Sequence, residues 1–323
     1  MNHLQLLYIR VQQLKANFGK AKISLPYGTT ALLGSSGRIV SIFPRGCKKN
    51  GLMRFTLRCP FYLFRKCGIL TPMGTSLVFV NQKGGVGKTT SAVNIGAYFS
   101  QAGKKTLLVD FDPQGNMSSG VGISKKQPSI YDAIAGKIPI QKTVRTTAVK
   151  DLYAIPADIN LSGATIELVD QQSREFFLRD NLALLKEEYE YILIDCPPSL
   201  GILTLNGLAA ADEVFIPLQC EYFALEGLTL LLQTVKRVQE KINPRLKIGG
   251  IFFTMYDSRT KLAQEVVQQV TAYFKDRVCS TIIPRNVRLS EAPSHGLPIC
   301  KYDASCIGAR SYEKLAQEVL NRA

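Results

Sequence analysis

Residues 1–72 contain no Asp or Glu, although they hold twelve Lys and Arg. The 323-residue chain carries a formal net charge of +15, with 40 basic and 25 acidic side chains. Residues 73–323 hold 28 of the basic residues and all 25 of the acidic ones. This excludes a chain that is basic along its whole length, built throughout to track nucleic acid or an anionic membrane. Histidine is scarce, with only two in the chain. Eight cysteines (Cys47, Cys59, Cys67, Cys196, Cys220, Cys279, Cys300, Cys306) form no C-x-x-C pair, which argues against a structural zinc site. Scattered thiols suit a reducing cytosol better than a disulfide framework. There is no run of about 18 apolar residues to span a bilayer, so a soluble protein is expected. At 46% hydrophobic residues, the chain can bury a sizeable core, which excludes wholesale disorder.

The acid-free segment is compositionally foreign to the rest. Leu4, Leu7, Val11 and Leu14 could form one short helical stripe, but Pro26, Gly28, Gly34, Gly37, Pro44, Gly46, Gly51 and Pro60 interrupt any longer element. We expect residues 1–72 to form a basic extension without a stable domain. Three readings stay open: a dispensable extension from a start assigned too early, since Met73 directly precedes the first strong strand pattern; a transit peptide; or a basic arm that strengthens nucleic-acid binding.

From residue 73 to 323, short apolar runs alternate with helical periods. This pattern predicts one α/β domain, a mostly parallel twisted sheet with helices on both faces. Leu77–Val80, Thr106–Asp110, Tyr191–Asp195, Val214–Leu218, Ile248–Met255 and Thr281–Ile283 read as strands. Helical spacing recurs over Leu225, Leu228, Leu232 and Val235, over Leu262, Val266, Val270 and Phe274, and over Tyr312, Leu315, Ala316, Val319 and Leu320.

The strand Leu77–Val80 runs into Asn81-Gln82-Lys83-Gly84-Gly85-Val86-Gly87-Lys88-Thr89-Thr90, and a helical stretch follows. Glycines let successive N–H groups turn inward, a helix N-terminus adds its positive end, and Lys88 neutralises the outer phosphates of a nucleoside triphosphate. Thr89 offers a hydroxyl to Mg²⁺. Two more strands end in acids, Asp110 and Asp195, and in a parallel sheet the carboxyl ends of neighbouring strands share one crevice. An apolar run closed by Asp suits a hydrated Mg²⁺, which favours oxygen ligands. Asp112, in the turn Asp110-Phe111-Asp112-Pro113-Gln114-Gly115-Asn116, can stand over the terminal phosphate.

The loop departs from the ordinary G-x-x-x-x-G-K-[ST] pattern by placing Gln82 where the first Gly belongs and Lys83 beside it. K-G-G-x-G-K-T resembles the deviant Walker A box of the ParA/MinD group of ATPases. Asp110–Asn116 is similar to that group's switch I, and Asp195-Cys196-Pro197-Pro198-Ser199-Leu200-Gly201 to its switch II. The segments Pro217–Gly227 and Ile283–Gly296 resemble the chromosomal ParA, or Soj, branch, so the likeness runs from Met73 to the last helix.

The resemblance implies a weak ATPase using ATP and Mg²⁺. ATP would be held by Lys83, Gly84, Gly85, Val86, Gly87, Lys88, Thr89 and Thr90, with Pro284 and Asn286 lining the base, and Mg²⁺ by Thr89, Asp110 and Asp195. Lys83 would reach the nucleotide of a partner subunit in an ATP-sandwich homodimer, and Asp112 would position the attacking water. The resemblance further implies cytoplasmic, nucleoid-associated partitioning of a chromosome or plasmid. In that reading the dimer binds double-stranded DNA without sequence preference, and a ParB-like centromere-binding partner releases it by stimulating hydrolysis. Basic residues on two post-strand loops, Arg259 and Lys261 on one and Arg285 and Arg288 on the other, supply candidate phosphate contacts.

Two rival classes resemble other members of the group. A membrane-cycling division-site ATPase like MinD needs a basic amphipathic C-terminal helix, whereas the last helix here is mixed in charge and no membrane partner is expected. An iron–sulfur reductase would place cysteines from two subunits around a cluster, with Cys196 and Cys220 as candidates.

Overall fold

The structure, a computed structural model, describes residues 21–25, 29–33, 39–44, 73–124, 128–167 and 171–322. The chain divides into two compact units, Met1–Ile69 and Leu70–Ala323. In the first, β1 (Ala21–Leu25), β2 (Thr29–Leu33) and β3 (Ile39–Pro44) form an antiparallel sheet in the order β1-β2-β3. Their five or six residues fit between the Pro and Gly positions that break longer elements. The stripe from Leu4 to Leu14 lies outside the described residues.

The second unit is built on seven strands: β4 (Thr75–Phe79), β5 (Thr106–Asp110), β6 (Arg145–Thr146), β7 (Leu152–Ile155), β8 (Tyr191–Asp195), β9 (Glu213–Gln219) and β10 (Lys247–Thr254). They lie in the order β10-β9-β4-β8-β5-β7-β6, parallel except for the edge pair β6–β7. Alternating side chains feed two apolar layers, as a strand period of two dictates. Leu77, Phe79, Leu108, Leu193 and Phe215 pack under α1 (Lys88–Gln101) and the final helix. Val78, Leu107, Val109, Ile192, Ile194 and Val214 face the opposite layer.

The helices between are α2 (Asn116–Gly120), α3 (Ile130–Ile134), α4 (Leu161–Glu167), α5 (Phe177–Leu182), α6 (Ile202–Ala210), α7 (Ala224–Lys241), α8 (Lys261–Phe274), α9 (Val287–Glu291), α10 (Ile299–Tyr302) and α11 (Ile307–Arg322). The three helical periods of the sequence fall in α7, α8 and α11. Leu228, Val235, Val266, Val270, Tyr312, Leu315, Ala316 and Val319 are buried, while Leu262 is exposed. α5, α6, α7 and α8 cover one face of the sheet and α1 and α11 the other.

One expected strand is missing. Thr281–Ile283 is not a strand, although it runs beside β10 with isolated bridges at Val278 and Pro284. The N–H groups of Ser280 and Thr281 donate to the Glu318 carboxylate of α11 at 2.7 and 3.0 Å rather than to a neighbouring strand, and Pro284 has no N–H to give. Two further strands were not expected: the edge strand β6 is only two residues long, and β7 beside it is a four-residue apolar run, Leu152–Ile155, with Pro156 directly after it.

Candidate active site

Three strands bring the chemistry to one edge. β4 neighbours β8 and β8 neighbours β5, with Phe79 opposite Asp195 and Asp195 opposite Asp110, so the loops leaving these strands emerge together. The loop after β4 turns through Gly85 (φ +72°) and Gly87 (φ +86°), left-handed positions that favour glycine. Gly87 is the N-cap of α1 and makes no side-chain cap, which leaves the first N–H groups of this 14-residue helix available to an anion. Neighbouring strands brace the loop. Thr254 Oγ1 at the end of β10 donates to Val86 O at 2.8 Å, Gln219 Nε2 at the end of β9 to Gly85 O at 3.2 Å, and Asn81 Nδ2 to Pro217 O at 2.8 Å.

Lys88 is 6% exposed and donates from Nζ to Lys83 O at 3.1 Å. Burial lowers its pKa, and the charges of Asp195 and Asp112 work in the opposite direction. Thr89 Oγ1 donates to Asp195 Oδ2 at 2.6 Å. Asp195 is fully buried, and its pKa is pushed well above the carboxylate range by burial first and by Asp110 next. Asp110, also fully buried, is raised to about 6 by burial, against the hydrogen bonds that Ser118 gives it. Its Oδ2 accepts from Ser118 N at 2.8 Å and Ser118 Oγ at 2.6 Å, and its Oδ1 from Asp112 N at 3.3 Å. Asp112, 8% exposed, accepts on Oδ1 from Gln114 N at 2.9 Å.

A divalent cation fits this oxygen set. Asp195 Oδ1 is a buried carboxylate oxygen with no hydrogen-bond partner, and the Thr89 hydroxyl sits on its other oxygen. Two fully buried acids whose ionised forms burial disfavours are the electrostatic setting that a hard cation relieves. Among the described residues no group of three or more His, Cys, Asp or Glu side chains converges. Magnesium does not require one, since one or two carboxylates, waters and substrate phosphates usually hold it.

The structure brings Lys88, Thr89, Asp110, Asp112 and Asp195 together. Lys83 meets them only through its backbone carbonyl, which Lys88 contacts, and its side chain turns to Glu221. Its N–H donates to Asn81 Oδ1 at 3.0 Å, and its amino group is paired with Glu221 of the same chain, both side chains about half exposed. Glu221 stands in a segment the sequence marked as family-like, without any role there. Gln219 stands in the same segment, and Thr254 and Ser118 carried no functional signal, because each of the three acts on the loop or on Asp110 through a contact that only the fold creates.

Of the two residues expected to line the base, Asn286 accepts on Oδ1 from Leu289 N and caps α9, and Pro284 bridges to Tyr256. The two basic loops lie side by side, joined by that bridge and by Arg285 N donating to Tyr256 O at 3.1 Å. Arg259 makes a two-pronged contact with Asp257, at 2.9 and 2.6 Å, which draws the Asp257 carboxyl down to about 2. Arg288 pairs with Glu291 at 2.9 Å and Asp303 at 3.4 Å. Lys261 and Arg285 are exposed. His295 stacks on Tyr302, with centroids 4.8 Å apart. Burial raises the pKa of Cys196 well above normal and of Cys220 to about 11.

A family profile described as an AAA domain matches residues 74–248. Over 250 residues, 77% of this chain and 98% of the relative, the sequence is 73% identical to the chromosome-partitioning ATPase Soj of Treponema pallidum (strain Nichols). The chain belongs to the ParA/Soj family of chromosome-partitioning ATPases. Its likeness to the family extends to the sporulation initiation inhibitor protein Soj of Bacillus subtilis (strain 168), 53% identical over 76% of this chain and 98% of that one. Among solved structures, cobyrinic acid a,c-diamide synthase from Mycobacterium smegmatis with bound ADP and magnesium superposes with a TM-score of 0.67 at 36% identity. That match covers 77% of this chain and 95% of the other. The septum site-determining protein MinD from Pyrococcus horikoshii OT3, complexed with Mg-ADP, gives 0.64 at 25% identity over 76% and 96%. As a ParA/Soj protein the chain is an ATPase, and its parallel sheet, phosphate loop and strand-end acids are the parts such an enzyme requires.

Proposed function

We propose that this ATPase is a nucleotide-timed DNA switch. Its ATP site comprises the loop Lys83–Thr90, with Pro284 and Asn286 toward the base, and Thr89, Asp110 and Asp195 would hold Mg²⁺, partly through water. The observation that carries the reading is the buried Lys88 set between Asp112 and Asp195 under an uncapped helix N-terminus. This is a site short of anionic ligand and of divalent cation at once. Bound Mg²⁺ supplies charge neutralisation on the transferring phosphoryl group.

The chain's own groups do the remaining work. The loop N–H groups and Lys88 bind and orient the triphosphate. Asp112 orients the attacking water over the terminal phosphate. With no histidine beside these acids, turnover is slow and the bound state persists as a timer.

In this reading Lys83 exchanges its pairing with Glu221 for the nucleotide of a second copy, so ATP makes the dimer. The dimer doubles the surface carrying Arg259, Lys261, Arg285 and Arg288, and these contact duplex phosphates irrespective of sequence. A ParB-like partner ends the cycle by accelerating hydrolysis, and the protein works in the cytoplasm on the nucleoid. One observation favours DNA over lipid: the apolar face of α11 is spent on α1, with Tyr312 buried and its hydroxyl 3.0 Å from Ser91 Oγ.

The test is retention of random-sequence duplex DNA by the full chain with a non-hydrolysable ATP analogue, with ADP and without nucleotide. Lys83→Ala and Lys88→Ala serve as controls, and anionic vesicles as the competing surface. Analogue-dependent DNA retention lost in both variants supports the proposal. Retention on vesicles instead of DNA refutes it.

A further inference from the structure

Two helix ends meet back to back between the ATP site and the basic loops. α2 closes on Gly122, with Gly122 N donating to Ser119 O at 3.0 Å and Ile123 N to Ser118 O at 2.9 Å. The short 3₁₀ turn Ala292–His295 closes the same way on Gly296, with Gly296 N donating to Pro293 O at 3.1 Å and Leu297 N to Ala292 O at 3.3 Å. Both are Schellman closures, with glycine in the left-handed region at φ +74° and +65°. The two glycines touch through their backbones. A Cβ on Gly296 would lie 2.8 Å from Gly122 Cα, and a Cβ on Gly122 would lie 3.2 Å from Gly296 O. No side chain fits between the two segments, so neither can move toward the other without pushing it.

Each side of this contact is tied to a functional element. On one side, α2 follows directly on the Asp112 turn, and Ser118 fixes it to the buried Asp110 carboxylate through both its N–H and its hydroxyl. Ser118 Oγ also accepts from Ala157 N at 3.1 Å, just beyond the end of β7. On the other side, the 3₁₀ turn continues without a break from α9, which carries Arg288. The Asn286 cap and buried Leu289 hold α9 in place, and Leu289 packs so closely on Gly308 that a Cβ there would lie 2.7 Å away.

We propose that the Gly122–Gly296 contact relays the state of the ATP site to the Arg288 segment. Nucleotide and its divalent cation placed beside Asp112 and Asp110 change the charge next to two acids, so the turn carrying them readjusts. α2 is a single short, packed helical segment, and it shifts as a unit rather than compressing. Its displaced end moves Gly296, and with it α9 and Arg288. This goes beyond the DNA-binding reading and rests on it only in taking Arg288 as the element that meets DNA.

The test compares Gly122→Ala with Gly136→Ala in the full chain. Gly136 has the same left-handed backbone, φ +70°, with nothing within 4 Å of an added Cβ, so it reproduces the backbone strain without the collision. The readout is the ratio of duplex-DNA affinities with ATPγS and with ADP, alongside direct binding of a fluorescent ATP analogue. The wild-type ratio is expected within the ordinary range of allosteric coupling, about 5- to 150-fold. Gly122→Ala brings it to within about twofold of unity with nucleotide binding retained, and Gly136→Ala leaves it intact. Equal losses in both variants, or an unchanged ratio in Gly122→Ala, overturn the relay. Should the wild-type chain bind no DNA, the DNA reading fails by itself, and hydrogen exchange still decides the relay. Adding ATPγS to wild type must alter amide exchange across residues 287–296, and unaltered exchange there overturns it.

Discussion

Replacing Lys88 tests the ATP site at its centre. The Lys88 amino group is already stripped of most of its water, at 6% exposure, and its one protein hydrogen bond is to Lys83 O at 3.1 Å. A phosphate oxygen arriving there gains a charge-assisted hydrogen bond worth about 1.5–3 kcal/mol, and a lysine can serve two such oxygens. Lys88→Ala should therefore weaken ATP binding by about 3 kcal/mol or more, roughly a hundredfold. The same figure appears in melting. At ATP set to about 100 times the wild-type Kd, ligand linkage adds about 2.7 kcal/mol to wild type but about 0.4 kcal/mol to a variant with a hundredfold higher Kd. For a domain of this size that is a rise of about 5–10 °C against about 1 °C. Lys88→Met keeps the buried stem and separates charge from packing. It should melt near wild type without nucleotide and still lose the ATP-induced rise. An ATP-induced rise equal to wild type in either variant would refute the assignment of Lys88 as the principal phosphate cation.

Other outcomes follow from the same geometry. Asp112→Ala should keep ATP binding and dimerisation while slowing phosphate release by about a hundredfold or more, the usual scale for a positioned acid or base; a phosphate-release assay giving wild-type rates would remove Asp112 from the mechanism. Arg288→Glu should weaken duplex binding at every sequence and reduce the slope of log affinity against log salt by about one for each DNA phosphate left unneutralised, with ATP affinity unchanged in a titration. Deleting residues 1–72 should leave ATP binding, turnover and DNA retention as they are, since the described ATP site lies wholly within the unit Leu70–Ala323; a deletion variant that fails to fold, by circular dichroism, would show that the boundary is misplaced.

The parts of the site legible in the sequence were those written locally. An apolar strand that stops at an acid, as at Asp110 and Asp195, announces both the strand and the carboxylate at its carboxyl end, and a Gly-rich turn before Lys-Thr announces the loop. The parallel sheet makes these local marks converge, because neighbouring parallel strands end on the same side. Thr281–Ile283 misled for the same reason. Its composition suits a strand, but whether a segment pairs depends on where its N–H groups go: Glu318, some 37 residues away, takes those of Ser280 and Thr281, and within Thr281–Ile283 only the Ile283 N–H reaches β10, at Phe253 O (2.9 Å). β6 has only two residues, too few to show a strand period, and β7 is a short apolar run that stops at Pro156 without an acid at its end.

Residues that act by holding another residue were the ones the sequence hid. Thr254 lies 168 positions from Val86, the carbonyl of which it fixes, and Glu221 lies 138 from Lys83. Ser118 is only eight residues from Asp110, yet a serine inside a helical turn reads as an indifferent surface residue until the fold buries it beside a carboxylate. The Glu221 pairing bears most directly on function. An exposed ion pair contributes about 0.2–1 kcal/mol, enough to hold Lys83 in the free chain and too little to keep it from a polyphosphate offered by a second copy. In the proposed sandwich dimer, such a weak intrachain partner would let dimerisation depend on whether ATP is present rather than on protein concentration alone.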